Sequence, residues 1–327
     1  MSTAGAGAPA AGPGPLNPQV QAIVDADPTD NEPGDLVAVR GAYAAIAERL
    51  GGSPPTVAAV ADDTVTTGAV PPVPVRVCRP DPPAAGRAGV VVFCHGGGWQ
   101  LGDLDGFDRV ARALCAGSGH HVVSVEYRLA PEHPFPAARD DVVAVLDWAS
   151  GPGAAAYGWD GRHVVLAGDS AGAQLAILAG QARPEAVCGQ VLGYPALDPW
   201  CAGASYTTFE HGPMLTREVM VTLWADYLAA TDPDDPALTV LRPGGAGLAA
   251  APSTLVVLAS HDVLRDDGLA YAAALGEVGV PVEVRDCAGT VHGFLRWAGA
   301  VDAAGEALAA MGAFAGRRIA ERRSALK

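Results

Sequence analysis

The chain has 327 residues, 50% of them hydrophobic, 17% charged and 6% aromatic, which is the make-up of a globular protein with room for one core plus a lid, or for two domains. Lys and Arg number 21 against 36 Asp and Glu, a net charge of −15 that would repel nucleic-acid phosphates and anionic lipid surfaces. The six cysteines, at 78, 94, 115, 188, 201 and 287, form no C-x-x-C pair and have no His at metal-ligand spacing, so neither a zinc site nor a redox dithiol is expected and the thiols read as reduced, buried residues of a cytoplasmic protein.

Residues 1–15 are largely Ala, Gly and Pro and read as a disordered tail. No basic residue precedes Arg40, which argues against a signal peptide, and no apolar run is long enough to span a bilayer. Two helical stretches follow. The second places Leu36, Val37, Tyr43, Ile46, Ala47 and Leu50 near a 3.6-residue period and is stopped by Gly51-Gly52 and Pro54-Pro55. Short β-branched runs then predict strands at 73–77, 89–94, 121–127, 163–168, 254–259 and 280–285, and the unbroken apolar run of 89–94 is expected to be covered on both faces. Helical patterns at 138–149, 171–180 and 267–277 lie between them, an alternation that predicts a parallel, doubly wound sheet. From about 200 to 243 the alternation stops, and Thr216, Glu218, Val219, Met220, Leu223, Trp224, Tyr227 and Leu228 read as an inserted amphipathic helix with a capping Thr. No internal repeat is visible.

Two glycine-rich segments carry the chemistry. Gly168-Asp169-Ser170-Ala171-Gly172 follows an apolar strand and opens a helical run, the setting of a sharp turn that presents a serine hydroxyl at the carboxyl edge of the sheet. Small neighbours are needed there for steric reasons, and the helix N-terminus favours developing negative charge. His95-Gly96-Gly97-Gly98-Trp99 also follows a strand, and successive glycines let backbone N–H groups approach an oxyanion closely. Gly97, Gly98 and Ala171 are the expected donors, with Gly96 as a third choice.

A serine needs a general base, and the base a carboxylate that fixes its tautomer. When the serine sits on such an elbow, the chain order is Ser, then Asp or Glu, then His. Of the histidines after Ser170, His211 lies in the inserted helical segment and His261 ends a strand beside the best acid, which leaves His292 in the glycine-rich segment after the last predicted strand. Asp262, at the carboxyl end of a strand, is preferred as the acid over Asp266 and Asp267, which suit the start of the next helix, and over Asp286. Asp169 reads as structural, and His120, His121, His133 and His163 as surface or hydrogen-bonded residues. Asp103 and Asp105 lack the spacing of a calcium loop.

Taken with Tyr127-Arg128-Leu129-Ala130-Pro131-Glu132-His133-Pro134, Asp262-Val263-Leu264-Arg265-Asp266 and His292-Gly293-Phe294, these blocks resemble the hormone-sensitive-lipase-like carboxylesterases of the α/β-hydrolase superfamily over residues 70–310. The resemblance implies an α/β-hydrolase fold, a mostly parallel eight-stranded sheet under a helical cap. It divides the chain into a tail (1–15), N-terminal cap helices (16–52), a core (53–199 and 244–327) and inserted cap helices (200–243), with Arg128 tying loops together. Gly172-Ala173-Gln174 and Val263 depart from the family pattern, and the linker at 243–251 is longer than usual.

The expected activity is hydrolysis of short- to medium-chain acyl esters through Ser170, His292 and Asp262, with no metal or organic cofactor. Met214, Met220, Leu223 and Trp224 are expected to line an acyl pocket or simply to pack. The expected partner is a small-molecule acyl ester, with room for a homodimer, and neither nucleic acid nor a stable membrane association. The rivals are the same triad acting on a natural-product ester, lactone, thioester or amide, and a lyase or receptor built on the same scaffold.

Overall fold

The computed structural model describes residues 14–26, 35–81, 88–235, 238, 240–241 and 247–325. The expected tail, apart from residues 14 and 15, and residues 243–246 of the expected long linker lie outside the described residues. Helices α1 (Pro18–Ala26) and α2 (Leu36–Leu50) come first, and Asp35 caps α2 by accepting from the Val37 amide at 3.3 Å. Strands β1 (Ala59–Val65) and β2 (Val73–Arg79) form a hairpin, and β3 (Val90–Cys94), α3 (Asp108–Ser118) and β4 (His121–Val125) begin the alternation. It continues through α4 (Ala137–Ser150), α5 (Pro152–Tyr157), β5 (Val164–Asp169), α6 (Ala171–Ala182) and β6 (Val187–Gly193). Helices α7 (Ala204–Thr208) and α8 (Arg217–Leu228) interrupt it before β7 (Thr254–His261), α9 (Arg265–Glu277), β8 (Val282–Val291) and α10 (Asp302–Ala325).

The sheet has eight strands in the order β1-β2-β4-β3-β5-β6-β7-β8. The β1–β2 and β2–β4 pairings are antiparallel and all the others parallel. Successive side chains of a strand point to opposite faces, so each central strand feeds two cores. Val90, Val92, Leu166, Val256 and Leu258 meet Val142, Leu146, Leu175 and Tyr271 from α4, α6 and α9 on one face. Val91, Phe93, Val165, Val191 and Val257 meet Leu114, Leu308 and Met311 from α3 and α10 on the other. Each such fully buried Val, Leu or Phe contributes about 1.5–3 kcal/mol relative to exposure. A sheet covered on both faces presents only its strand ends, and the carboxyl ends of β3, β5, β7 and β8 are therefore where loops can gather polar side chains.

The doubly wound architecture is as the alternation predicts, with five elements the patterning did not show: β1, β6, α3, α5 and α10. The last strand also runs further than predicted, to Val291, so the segment at 288–291 is strand and His292 follows it directly. Thr216 caps α8 through the Val219 amide at 3.2 Å. No helix among the described residues is long and apolar enough to cross a membrane.

Candidate active site

Ser170 stands between β5 and α6 with φ +53° and ψ −123°, a strained conformation for a residue with a side chain. The turn is that tight because its neighbours have no Cβ: a methyl on Gly172 would strike the carbonyl oxygens of Cys94 and His95, and one on Gly168 that of Gly172. Helix α6 is apolar but for Gln174 and Gln181, and its first ten residues are buried, which fixes the elbow on a rigid base. Its N-terminal dipole lies under the serine.

His292 links the two other candidate groups. Its Nε2 lies 3.0 Å from Ser170 Oγ and its Nδ1 2.8 Å from Asp262 Oδ2. The second carboxylate oxygen of Asp262 accepts from the Leu264 amide at 2.9 Å, and the side chain is wholly buried. With Nδ1–H donated to the carboxylate, Nε2 is left as the acceptor facing the serine hydroxyl. The three side chains come from the ends of β5, β7 and β8, so the carboxyl edge of one parallel sheet, with β6 between β5 and β7, brings together residues 122 and 30 positions apart.

The glycine loop after β3 is held peptide by peptide. The Gly96 amide donates to Asp169 Oδ1 at 2.8 Å, so it is occupied and is not a free donor. The buried His95 ring, stacked on Tyr127 with centroids 4.3 Å apart, hydrogen-bonds the Gly96 carbonyl through Nδ1 at 2.8 Å. Burial pushes that imidazole down to about 4 and keeps it neutral. The Gly97 carbonyl accepts from the amides of Gln100 and Leu101 at 3.1 and 2.9 Å. The amides of Gly97, Gly98 and Ala171 donate to no acceptor among the described residues. Gly97 and Gly98 have φ of +121° and +59°, values that favour glycine.

Asp169 is buried and bridges this loop to Tyr194, whose hydroxyl donates to Oδ2 at 3.3 Å and whose ring lies 4.7 Å from that of His292. Burial pushes the Asp169 carboxyl up to about 6, against the pull of the Arg296 charge and the Gly96 N–H. Tyr194 has no motif of its own; it follows the unpredicted β6. Asp266 and Asp267 open α9 as expected, but Asp267 is buried and accepts from the amides of Leu197 and Asp198 and from the Tyr206 hydroxyl, which ties α7 to the helix that follows Asp262. Asp286 is partly exposed and paired with Arg265 at 2.7 Å. His120, His121 and His163 lie at the amino ends of β4 and β5, the opposite edge of the sheet, and His211 is exposed before α8. Arg128 donates to both oxygens of the buried Asp141 and to the Ala137 carbonyl.

Of the expected pocket residues, Met220 and Trp224 are buried, with Trp224 4.3 Å from Trp99 between ring centroids. Leu223 lies over the glycine loop, where a methyl on Gly98 would meet its Cδ1 at 2.6 Å. Met214 is partly buried and packs against the other of the two cores, not the one that holds Met220 and Trp224. Gln174 accepts from the indole N–H of Trp99 at 3.1 Å, so the departure at that position supplies a partner for the buried Trp99. All six cysteines are free, and among the described residues no group of three His, Cys, Asp or Glu is placed to hold a metal ion.

Residues 91–296 match a family model described as the alpha/beta hydrolase fold. Carboxylesterase NlhH of Mycobacterium tuberculosis is 43% identical over 242 residues, spanning 72% of this chain and 75% of its own. An ethyl acetate hydrolase of Pseudomonas putida is 34% identical over 258 residues, 76% of this chain and 80% of its own. The crystal structure of a thermostable esterase from Pseudomonas putida superposes with a TM-score of 0.87 at 28% identity, covering 94% of this chain and 99% of that one.

Proposed function

Since this chain belongs to the α/β-hydrolase fold family, in its hormone-sensitive-lipase-like branch, we propose that it is a serine carboxylesterase working through Ser170, His292 and Asp262. The observation that carries this reading is the imidazole of His292, at 3.0 Å from Ser170 Oγ and 2.8 Å from Asp262 Oδ2. Ser170 Oγ attacks the ester carbonyl as its proton passes to His292 Nε2, and Asp262 stabilises the imidazolium through Nδ1–H. The carbonyl oxygen becomes an oxyanion facing the amides of Gly97, Gly98 and Ala171, which need not reorganise as charge develops. When the tetrahedral intermediate collapses, His292 returns the proton to the departing alkoxide and leaves an acyl-enzyme on Ser170. Water, deprotonated by His292, then attacks the acyl carbon, and the carboxylic acid leaves as Oγ recovers its proton.

Helices α1 and α2 and helices α7 and α8 are assigned as two parts of a cap over this site. Short acyl chains are the preferred substrates, because Leu223 of α8 reaches down onto Gly98 and limits the depth beside the reacting carbonyl. The hydrolysis of ethyl acetate by a relative agrees with a small acyl group. The test is a series of p-nitrophenyl esters of increasing acyl length, comparing wild type with Ser170→Ala and His292→Ala. Activity greatest on short chains and lost in both variants is expected; turnover that survives Ser170→Ala would overturn the assignment.

A further inference from the structure

We propose that Gln100, outside the motif, is the positioning residue through which both parts of the cap set the oxyanion donor Gly98. The inference rests on the reading of Gly98 as such a donor. In a trans peptide the C=O of one residue and the N–H of the next lie in one plane and point in opposite directions. The direction of the Gly98 N–H is therefore set by whatever holds the Gly97 carbonyl, and that carbonyl is held by the amides of Gln100 and Leu101 at 3.1 and 2.9 Å.

Gln100 is in turn gripped from two sides. Its carbonyl accepts from Arg40 Nε of α2 at 2.8 Å, while its side-chain amide donates to Asp226 Oδ2 of α8 at 2.9 Å. Arg40 is itself anchored on core groups next in space, donating to the Ala130 carbonyl at 3.3 Å and to both Glu132 oxygens at 2.8 Å. The residue just before Gln100 is braced too, since the Trp99 carbonyl accepts from the Ala130 amide at 2.8 Å. Gln100 is buried, so leaving either of its groups unpaired is costly. One residue thus receives the α2 contact on its backbone, the α8 contact on its side chain, and passes its own amide to the peptide that carries the Gly98 N–H. Productive geometry at the oxyanion is complete when both helices are docked.

The test compares Gln100→Met, Asp226→Ala and Asp226→Asn with wild type on p-nitrophenyl acetate. It adds inhibition by a trifluoromethyl ketone, whose adduct with Ser170 carries an oxyanion, and by the matching methyl carbinol, which does not. Acylation and deacylation both pass through an oxyanion, so loss of positioning lowers kcat whichever is slower. Expected for Gln100→Met and Asp226→Ala is a fall in kcat of about tenfold or more with KM within about twofold, and an equal weakening of the trifluoromethyl ketone with the carbinol unmoved. Asp226→Asn, whose side-chain oxygen still accepts from Gln100, is expected to stay near wild type. The proposal is overturned if KM rises while kcat holds, if kcat falls without the ketone weakening, if nothing changes, or if Asp226→Asn is as impaired as Asp226→Ala. Should Gln100→Met fail to fold, the Asp226 pair decides alone. Failure of the esterase reading itself shows elsewhere, as wild-type turnover that persists in Ser170→Ala.

Discussion

The backbone N–H of Gly96 donates to Oδ1 of Asp169 at 2.8 Å, which joins the loop bearing the proposed oxyanion donors to the residue preceding the candidate nucleophile. The same carboxylate accepts from Tyr194, whose ring lies against His292. Three loops from three strand ends therefore share one buried acid. A carboxylate suits this place because it accepts from two directions, and the charge it brings is offset only in part by Arg296.

That compromise has a pH signature. Burial raises the Asp169 carboxyl to about 6 in the folded protein, so the folded state holds its proton more tightly than the unfolded chain does. Its contribution to stability is fully present below about pH 4 and is lost as pH rises through about 6, a change of about 3 kcal/mol. In Asp169→Asn the side chain keeps an acceptor for Gly96 and does not titrate. Urea denaturation of both proteins between pH 4 and pH 7 should show the variant gaining about 3 kcal/mol on wild type as pH rises. Parallel curves would show that this carboxylate is not under strain.

Asp262 offers a test of tautomer control. Its Oδ1 accepts from the Leu264 amide at 2.9 Å, so an Asn there must keep its oxygen on that N–H and turn its NH2 toward His292 Nδ1. Nδ1 then becomes the acceptor, and Nε2 carries a hydrogen toward Ser170 where a base is needed. Asp262→Asn should lower kcat about 10⁴-fold with little change in melting temperature, because the hydrogen bonds are conserved in number. A loss of less than about tenfold would mean that Asp262 does not set the tautomer.

The triad candidates were legible because each sits at a strand end beside a local signature: the glycine-flanked Ser170, the Asp262 run and His292-Gly293-Phe294. What escaped depends on distant context. Strand β6 contains Gly189, Gln190 and Gly193 in place of a β-branched run; Gly189 is there because the Arg318 side chain of α10 crosses it, and Gln190 is buried because Tyr271 and Thr254 donate to it. Strand β1 is an edge with exposed Asp62 and Asp63, held by its register with β2. Gln100 and Arg296 find their partners 126 and 253 residues away, so no local pattern marks them.

Leu223 sets an expectation for acyl length. Its side chain lies over Gly98, beside the proposed oxyanion donors. Leu223→Ala should move the optimum to longer p-nitrophenyl esters, raising kcat/KM for the longer chain relative to acetate by about tenfold for each methylene accommodated. An unchanged profile would place the acyl chain on another side of the elbow.

Arg296 connects the pH behaviour of Asp169 to the attachment of α2. It is buried, donates to the Tyr43 carbonyl at 2.7 Å and places its guanidinium 3.7 Å from the Tyr43 ring centroid and 4.9 Å from that of Phe107. No carboxylate among the described residues forms an ion pair with it, and its charge draws the Asp169 carboxyl down. Arg296→Met keeps much of the volume and removes the charge, so Asp169 should titrate above about 6 and the window in which stability is lost should move upward. The cost of Arg296→Met should therefore be greater at pH 7 than at pH 4 by about 1–2 kcal/mol in the wild-type background, and independent of pH once Asp169→Asn is also present. The double-mutant cycle separates the two roles: the pH-dependent part belongs to the attraction between the Arg296 and Asp169 charges, and the constant part to the grip on Tyr43. Equal pH dependence with and without Asp169→Asn would assign the effect to another titrating group.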